Sequence, residues 1–330
     1  IESTSSAWNA DGGTYIYMAI RRPDGYVGKP VETGTDVFNI DLDGTNSGDP
    51  SWVSGFPVDM QFIKDRAGTS FNWYLSTRLT QGKYLSTESS AAETANSVYS
   101  HDYQNGWGNY SSANGITSWM FKRHAGFDVV CDIGSGSNKQ VSHSLHQPPE
   151  MIFRKCRDSA KDWIVYHKDL PSSGSALGYL YLNSTAAAGT YSPFWNQAPT
   201  ATHFTVGSDN EINISNEKFI TLLFASVDGI SKVGYFDGSD STKNITDVGF
   251  QPRFIIIKNI TTGGEGYNWY VFDTTRGWGS GTDKALMLDD NAAQLTSTDY
   301  GAPTATGFDL VGNKGGTNDA GQTYIYYAHV

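Results

Sequence analysis

The stretch GFQPRFIIIKN, from Gly249 to Asn259, decides the fold because the chain carries it three times. It reads as a turn, a proline, an apolar strand and a lysine, and the same order recurs in GFPVDMQFIKD (Gly55–Asp65) and LHQPPEMIFRKC (Leu145–Cys156). The lysines lie 91 and 103 residues apart, at Lys64, Lys155 and Lys258. A strand pattern that repeats at nearly constant spacing predicts tandem domains and not one large fold.

The strands that follow each copy also repeat in order. A tryptophan strand comes next, in NWYLST, DWIVYHKD and NWYVFD, and contains Trp73, Trp163 and Trp269. A leucine strand, a polar turn with an alanine pair and an aromatic closing strand follow in each copy. Short apolar runs between Gly/Asp/Ser turns indicate strands, and no helical periodicity exceeds about two turns. We therefore predict an all-β fold of tandem β-sandwich repeats, of the jelly-roll or lectin-like type.

The repeats set the predicted domain boundaries. The modules are expected at residues 31–126, 127–230 and 231–330. The closing-strand pattern appears once more at the front, as GGTYIYMAI from Gly12 to Ile20. Residues 1–30 are thus predicted to be the closing strand of a preceding module plus a linker. Either the chain is part of a longer polypeptide or this strand completes another module.

Composition limits the classes of partner. The 330 residues carry a net charge of −11, and 17% of them are charged. A negative chain is not attracted to nucleic acid or to an anionic membrane surface. No apolar run approaches the roughly 20 residues that span a bilayer. We therefore expect neither nucleic-acid binding nor membrane insertion.

Candidate metal sites are weak. The segment from Asp36 to Asp49 resembles a calcium loop, but the twelfth position counted from Asp41 is Trp52 and not the required glutamate. A hairpin turn is the favoured interpretation. His143 and His146 lack a nearby third ligand, so no metal or other cofactor is expected.

The cysteines and the candidate acids indicate neither a disulfide framework nor an enzyme. Cys131 and Cys156 occur only in the middle module, so the fold cannot depend on a disulfide, although the two could pair. No nucleophile elbow is present, and Glu150 and Glu265 occupy non-equivalent repeat positions. We expect a non-catalytic protein with no catalytic residues.

Tryptophans provide the functional hint. The repeated Trp73, Trp163 and Trp269 suit a core position, whereas three others stand in polar, glycine-rich loops without repeat equivalents. Exposed rings beside amides suit sugar faces or a partner surface. The alternative is that each ring folds back over its own module. The predicted contact set is Trp107, Asn105, Asn109, Tyr110, Trp195, Asn196, Trp278 and Arg276.

Long strings of the chain resemble a known class of protein. They include NADGGTYIYMAIRRPDGYVGKP (9–30), RHAGFDVV (123–130), SHSLHQPPEMIFRKCRDSAKDWIVYHK (142–168), APTATHFTVG (198–207) and FASVDGISKVGYFDG (224–238). Together they are similar to the repeat-containing, tail-fibre-like virion structural proteins of tailed bacteriophages, especially marine ones. These proteins are often described as concanavalin A-like or LamG-like. The resemblance covers essentially the whole chain.

The resemblance implies a β-sandwich component of the virion surface, on a tail fibre, a knob or the capsid, and therefore an extracellular location. It also implies a homo-oligomer, with a trimer favoured, that contacts other virion proteins and host cell-surface polysaccharide. Several weak glycan sites would add through effective concentration. Two other functions stay open: a purely architectural virion protein and a polysaccharide depolymerase.

Overall fold

A computed structural model of the protein describes residues 33–44, 48–66, 71–108 and 115–330. The all-β prediction is confirmed, since the described residues form 25 strands, one four-residue α-helix and two short 3-10 helices (Gly34–Asp36 and Arg78–Thr80). None of these helices has the length or the apolar character needed to cross a membrane. The predicted strand at Gly12–Ile20, and Asn109 and Tyr110 of the contact set, lie outside the described residues.

The first large sheet lies within residues 31–126 and has four antiparallel strands in the order β1-β8-β3-β4. Two small ribbons, β2 with β7 and β5 with β6, accompany it. The strands are β1 (Phe38–Leu42), β2 (Trp52–Val53), β3 (Met60–Asp65), β4 (Tyr74–Thr77), β5 (Lys83–Tyr84), β6 (Thr94–Ala95), β7 (Gly106–Trp107) and β8 (Ile116–Phe121).

The second large sheet lies within residues 127–230, and its order is β14-β13-β12-β11-β16-β9. A separate two-stranded antiparallel sheet pairs β10 with β15. The elements are β9 (Phe127–Ile133), β10 (Lys139–Ser142), β11 (Met151–Cys156), β12 (Ile164–His167), β13 (Gly178–Tyr181), β14 (Gly189–Thr190), β15 (His203–Val206), α1 (Asn210–Asn213) and β16 (Lys218–Phe224).

The third large sheet lies within residues 231–330, with the order β17-β25-β19-β20-β21-β22. A small sheet, β18-β24-β23, belongs to the same range. The strands are β17 (Ser231–Asp237), β18 (Lys243–Ile245), β19 (Phe254–Asn259), β20 (Tyr270–Asp273), β21 (Asp283–Met287), β22 (Leu295–Thr298), β23 (Gly301–Thr304), β24 (Gly307–Leu310) and β25 (Thr323–His329).

The three large sheets share one strand order. In each, the first strand of the range pairs with the closing strand, which pairs with the proline strand, which pairs with the tryptophan strand. The register between the closing and proline strands is also the same, with Phe121 opposite Met60, Phe224 opposite Met151 and His329 opposite Phe254. The repeated sequence pattern therefore corresponds to a repeated sheet.

The predicted module boundaries stay a prediction, and the three large sheets pack around one shared core. Residues Val31–Val330 form one compact unit. Alternate residues of each proline strand enter one shared core, as Phe62, Phe153 and Ile256 do. The residues between them, such as Ile152 and Ile255, enter an outer core that belongs to one sheet alone. A strand that is covered on both faces needs apolar residues at consecutive positions, which is why these stretches read as continuous hydrophobic runs.

Tryptophan hydrogen bonds join the three sheets in a closed cycle. Trp73 Nε1 donates to the carbonyl of Met287 at 2.7 Å, from the first repeat to the third. Trp163 Nε1 of the second repeat donates to Ser86 O of the first at 2.8 Å. Trp269 Nε1 of the third repeat donates to Tyr181 O of the second at 2.9 Å. The repeated tryptophans are thus anchors between sheets as well as core residues.

Two of the repeated lysines act in the same way. Lys64 Nζ donates to Asn291 O of the third repeat at 2.8 Å, and Lys258 Nζ donates to Thr185 O of the second at 3.2 Å. Burial lowers the pKa of Lys258 to about 8, because the charged form loses its hydration. The conformation of each repeat is therefore tied to that of its neighbour by buried polar contacts.

Candidate functional site

The loop tryptophans of the predicted contact set are buried, so the expectation that their rings face solvent is wrong. Trp107, Trp195 and Trp278 are 0%, 2% and 3% exposed. The Trp107 ring lies nearly parallel to that of Trp52, with 5.9 Å between centroids. Its Nε1 donates to Ser118 Oγ at 2.9 Å. These rings pin loops onto the outer cores, which was the alternative interpretation.

Arg276 is also a structural residue. Its Nε donates to the Asp273 carboxylate at 2.5 Å, and both side chains are fully buried. The guanidinium lies 5.1 Å from the centre of the Trp119 ring, and Trp119 Nε1 donates to the same carboxylate at 3.0 Å. Because Trp119 belongs to the first sheet and Asp273 to the third, the hydrogen bond between them joins this buried ion pair to a second repeat. A ligand in solvent cannot reach it.

The structure does not bring the predicted contact residues together. Asn105 and Trp107 belong to the first repeat, Trp195 and Asn196 to the second, and Arg276 and Trp278 to the third. Asn105 is exposed, and its carbonyl accepts hydrogen bonds from Ser54 and Gly55. Asn196 lines a polar cavity that opens to solvent.

This cavity, the amide pocket, lies at the two-stranded sheet of β10 and β15 in the second repeat. It has a volume of about 320 Å³. Thr205 of β15 is buried, whereas the side chains of Gln140 on β10, Asn138 just before β10 and Gln197 of the facing loop are exposed. The lining residues are Asn138, Lys139, Gln140, Asn196, Gln197 and Thr205.

A comparison of repeats explains why the pocket exists. The sequence APTAT stands at 198–202 in the second repeat and at 302–306 in the third, so Gln197 corresponds to Gly301. In the third repeat Gly301 pairs with Leu310, and a Cβ atom there would lie 1.9 Å from Asp309 O. A side chain prevents that approach. The segment before Thr200 therefore forms no strand in the second repeat. A gap remains at the place that β23 occupies beside β24 in the third repeat.

A hydrogen bond joins the two sides of the gap. Thr205 Oγ1 donates to Gln197 Oε1 at 3.2 Å, which restrains the glutamine side chain next to β15. The base of the loop turns as in the third repeat, with Thr200 N donating to His203 O at 2.8 Å. The Asn196 Oδ1 atom is buried and has no hydrogen-bond partner among the described residues.

The lining of the pocket carries no uncompensated charge. Lys139 Nζ donates to Asp132 Oδ2 at 2.9 Å and to Ile133 O at 2.5 Å, so its ammonium is already bound to two acceptors of β9. Burial opposes ionisation of Asp132, but Arg154 and Lys139 together hold its pKa below the ordinary value. The remaining lining groups are amides and a hydroxyl, which both donate and accept hydrogen bonds. This chemistry suits a neutral ligand with many hydroxyl groups.

Sequence reasoning missed most of this site. Asn138, Gln140, Gln197 and Thr205 stand in ordinary polar contexts, and Asn196 was chosen for its neighbour Trp195, whose ring is buried. One signal was present: glutamine replaces glycine at position 197 within an otherwise repeated string. A break in a repeat at a backbone-contact position marks a local change of structure.

Other candidate chemistry resolves into structural contacts. Cys131 and Cys156 are free thiols. Asp41 Oδ2 accepts from Val53 N at 2.9 Å, and Asp43 Oδ1 accepts from Gly115 N at 2.7 Å, as expected for side chains that stabilise turns. Within the part of the chain that the structure describes, no three His, Cys, Asp or Glu residues cluster to hold a metal.

Comparison with known proteins places the chain in a family. No curated protein matches it at a significant level. A family model described as "Domain of unknown function (DUF7483)" matches residues 103–330, which include β8 and every strand of the second and third sheets. Because this match covers more than half of the sequence, the chain belongs to the DUF7483 family.

Proposed function

We propose that the protein is a non-catalytic component of a phage virion surface that contacts neutral host glycans through the amide pocket. The observation that carries the glycan proposal is an open cavity of about 320 Å³ lined by four amides and a hydroxyl, without free charge. The virion setting rests on the resemblance of the sequence to tail-fibre-like structural proteins.

The hydrogen-bonding character of the pocket favours carbohydrate. Each sugar hydroxyl is at once a donor and an acceptor, and each Asn or Gln amide offers two donors and one carbonyl acceptor. An acidic glycan would instead select free cations, and Lys139 is paired with Asp132. Hydrogen bonds at an open, wet site contribute about 1 kcal/mol each. A single pocket should therefore bind weakly, and a multimeric display would supply avidity.

The packing beneath the pocket favours binding of a ligand without a large conformational change of the protein. Phe204 and Val206 of β15 and Val141 of β10 point into the outer core of the second repeat. The two-stranded sheet that carries Gln140 and Thr205 is thus held by apolar side chains on its opposite face. A rigid support reduces the conformational entropy lost on binding.

The test is a binding titration against neutral monosaccharides and short neutral oligosaccharides of glucose, galactose and mannose. The double variant Q140A/N196A should lower the affinity for the best saccharide roughly tenfold or more, since two hydrogen-bonding groups are removed. N244A is the matched control, because Asn244 is the exposed counterpart of Gln140 on β18, where β23 replaces the pocket. It should bind as the unmodified protein does.

Two outcomes would overturn the proposal. If no saccharide binds the folded protein, or if the double variant binds as well as the control, the amide pocket is not a glycan site and an architectural role is favoured. If incubation with host polysaccharide releases reducing ends, the protein is a depolymerase and the non-catalytic part of the proposal is wrong.

A further inference from the structure

An exposed tyrosine lies on the loop that lines the amide pocket. Tyr191 is 43% exposed, and its ring meets the buried Phe194 ring at 4.9 Å and an interplanar angle of 83°. In a perpendicular pair, Phe194 leaves at least one face of Tyr191 uncovered. Tyr191 Oη donates to Asp209 Oδ2 at 3.3 Å, which restrains the exposed ring. Half-buried Tyr179 also packs edge-on against Phe194, at 4.8 Å.

The loop that carries Tyr191 also carries the pocket residues Asn196 and Gln197. Phe194 N donates to Tyr191 O, so the segment turns tightly, and Phe194 O accepts from Gly207 N at 2.7 Å, two residues beyond Thr205. Phe194 and Asn196 are two residues apart, so their Cα atoms lie within about 7 Å of each other. Tyr191 and Asn196 are five residues apart on the same loop, so their Cα atoms lie within about 18 Å of each other.

The two parts offer complementary chemistry. An exposed, restrained aromatic face binds the apolar C–H face of a sugar ring, while amides bind its hydroxyl groups. The charge nearest to Tyr191 is the Asp209 carboxylate, which can accept hydrogen bonds from hydroxyls and repels anions. A surface of this kind is longer than one sugar unit.

We propose that the site takes a neutral oligosaccharide of at least two sugar units, one stacked on Tyr191 and another bound in the amide pocket. This inference rests on the proposed glycan function and specifies its ligand class. It assigns to Tyr191 the role of a platform that distinguishes a chain of sugars from a single sugar.

The test compares affinities for neutral trisaccharides and hexasaccharides with affinities for the corresponding monosaccharides. Y191A should lower oligosaccharide affinity roughly three- to tenfold, as expected for loss of an aromatic contact, and leave monosaccharide affinity unchanged. Y191F keeps the ring and should bind within about twofold of the unmodified protein. Y235A is the matched control, because Tyr235 is a 54% exposed tyrosine on β17 of the third sheet.

The possible failures are distinguishable. If Q140A/N196A abolishes binding but Y191A does not lower oligosaccharide affinity, the pocket binds a single sugar and the platform inference is wrong. The same holds if Y191A weakens monosaccharides and oligosaccharides equally. If neither variant alters binding, the proposed glycan function itself fails. Circular dichroism and thermal melting of each variant exclude loss of the fold as the cause.

Discussion

Replacing His329 with phenylalanine is expected to make the protein more resistant to acid. His329 lies on the closing strand β25, opposite Phe254, and is fully buried. The same position holds Phe121 in β8 and Phe224 in β16. The other two repeats thus show that a phenylalanine fits this place in the shared core.

The magnitude follows from the pKa of the buried imidazole. Its ring lies 4.7 Å from that of Phe38 and 5.9 Å from that of His124. Burial, aided by Arg253, lowers the pKa of His329 from 6.5 to about 4. Between those pH values the unfolded chain binds a proton that the folded protein does not. At about 1.4 kcal/mol for each pH unit, the free energy of unfolding falls by about 3 kcal/mol from pH 6.5 to pH 4.

The H329F variant removes this contribution and should change little at pH 7. It loses one hydrogen-bonding contact, between His329 Nδ1 and Val330 O at 3.0 Å, which contributes about 1 kcal/mol. The added apolar ring offsets that loss, because its neighbours are mostly aromatic. Urea unfolding at pH 7, 5.5 and 4.5 measures the difference. The variant should lose about 2–3 kcal/mol less than the unmodified protein between pH 7 and pH 4.5.

A control isolates the buried site. His146 is exposed and has a φ of 59°, a left-handed conformation that asparagine tolerates, so H146N removes a histidine without altering the core. Other buried histidines also contribute to acid sensitivity, since burial lowers the pKa of His101 and of His167 to about 3. H329F should therefore reduce the pH dependence and not abolish it. An unchanged dependence in H329F would refute the assignment of this proton uptake to His329.

Two further predictions concern the sheet junctions and the pocket. W269F deletes the hydrogen bond from Trp269 Nε1 to Tyr181 O and leaves that carbonyl without its donor. The free energy of unfolding, measured by urea titration, should therefore fall by about 3 kcal/mol. A stability equal to that of the unmodified protein would contradict the anchoring role. Q197G should let the segment before Thr200 approach β15 as Gly301 approaches β24, which closes the amide pocket and abolishes saccharide binding at unchanged thermal stability. Retention of full saccharide affinity by Q197G would show that position 197 does not open the pocket.

The strands and their order could be predicted from the sequence because both depend on local pattern. Apolar runs, turn residues and the recurring tryptophan all lie within about ten residues of one another. The shared core could not be predicted in the same way. All six residues of β11 and of β19 are buried, and this continuous burial signals cover on both faces. Neighbouring residues in the sequence do not identify the distant strands that supply this cover, and on the inner face the cover comes from the other two repeats.

The loop tryptophans show the same limit. Glycine and polar neighbours surround Trp107 and Trp278 in the sequence, yet each ring enters an outer core. Flanking residues report the flexibility of a loop, whereas burial depends on what stands opposite it. The rings that pack against Trp107 include Tyr99 and Trp52. They belong to other segments, and the sequence of the loop does not show that these segments lie next to it.

Differences between the repeats point to the outer layers as the place of function. The inner face of each large sheet must fill one shared core and maintain the cycle of tryptophan hydrogen bonds, so its residues stay alike in type. The outer layers meet no such requirement, and they differ. The first stacks Trp52 on Trp107, the second opens the amide pocket, and the third fills the corresponding place with β23. A repeat that keeps its core and has Gln197 in place of Gly301 can therefore gain an open pocket, the proposed glycan site, without loss of the common fold.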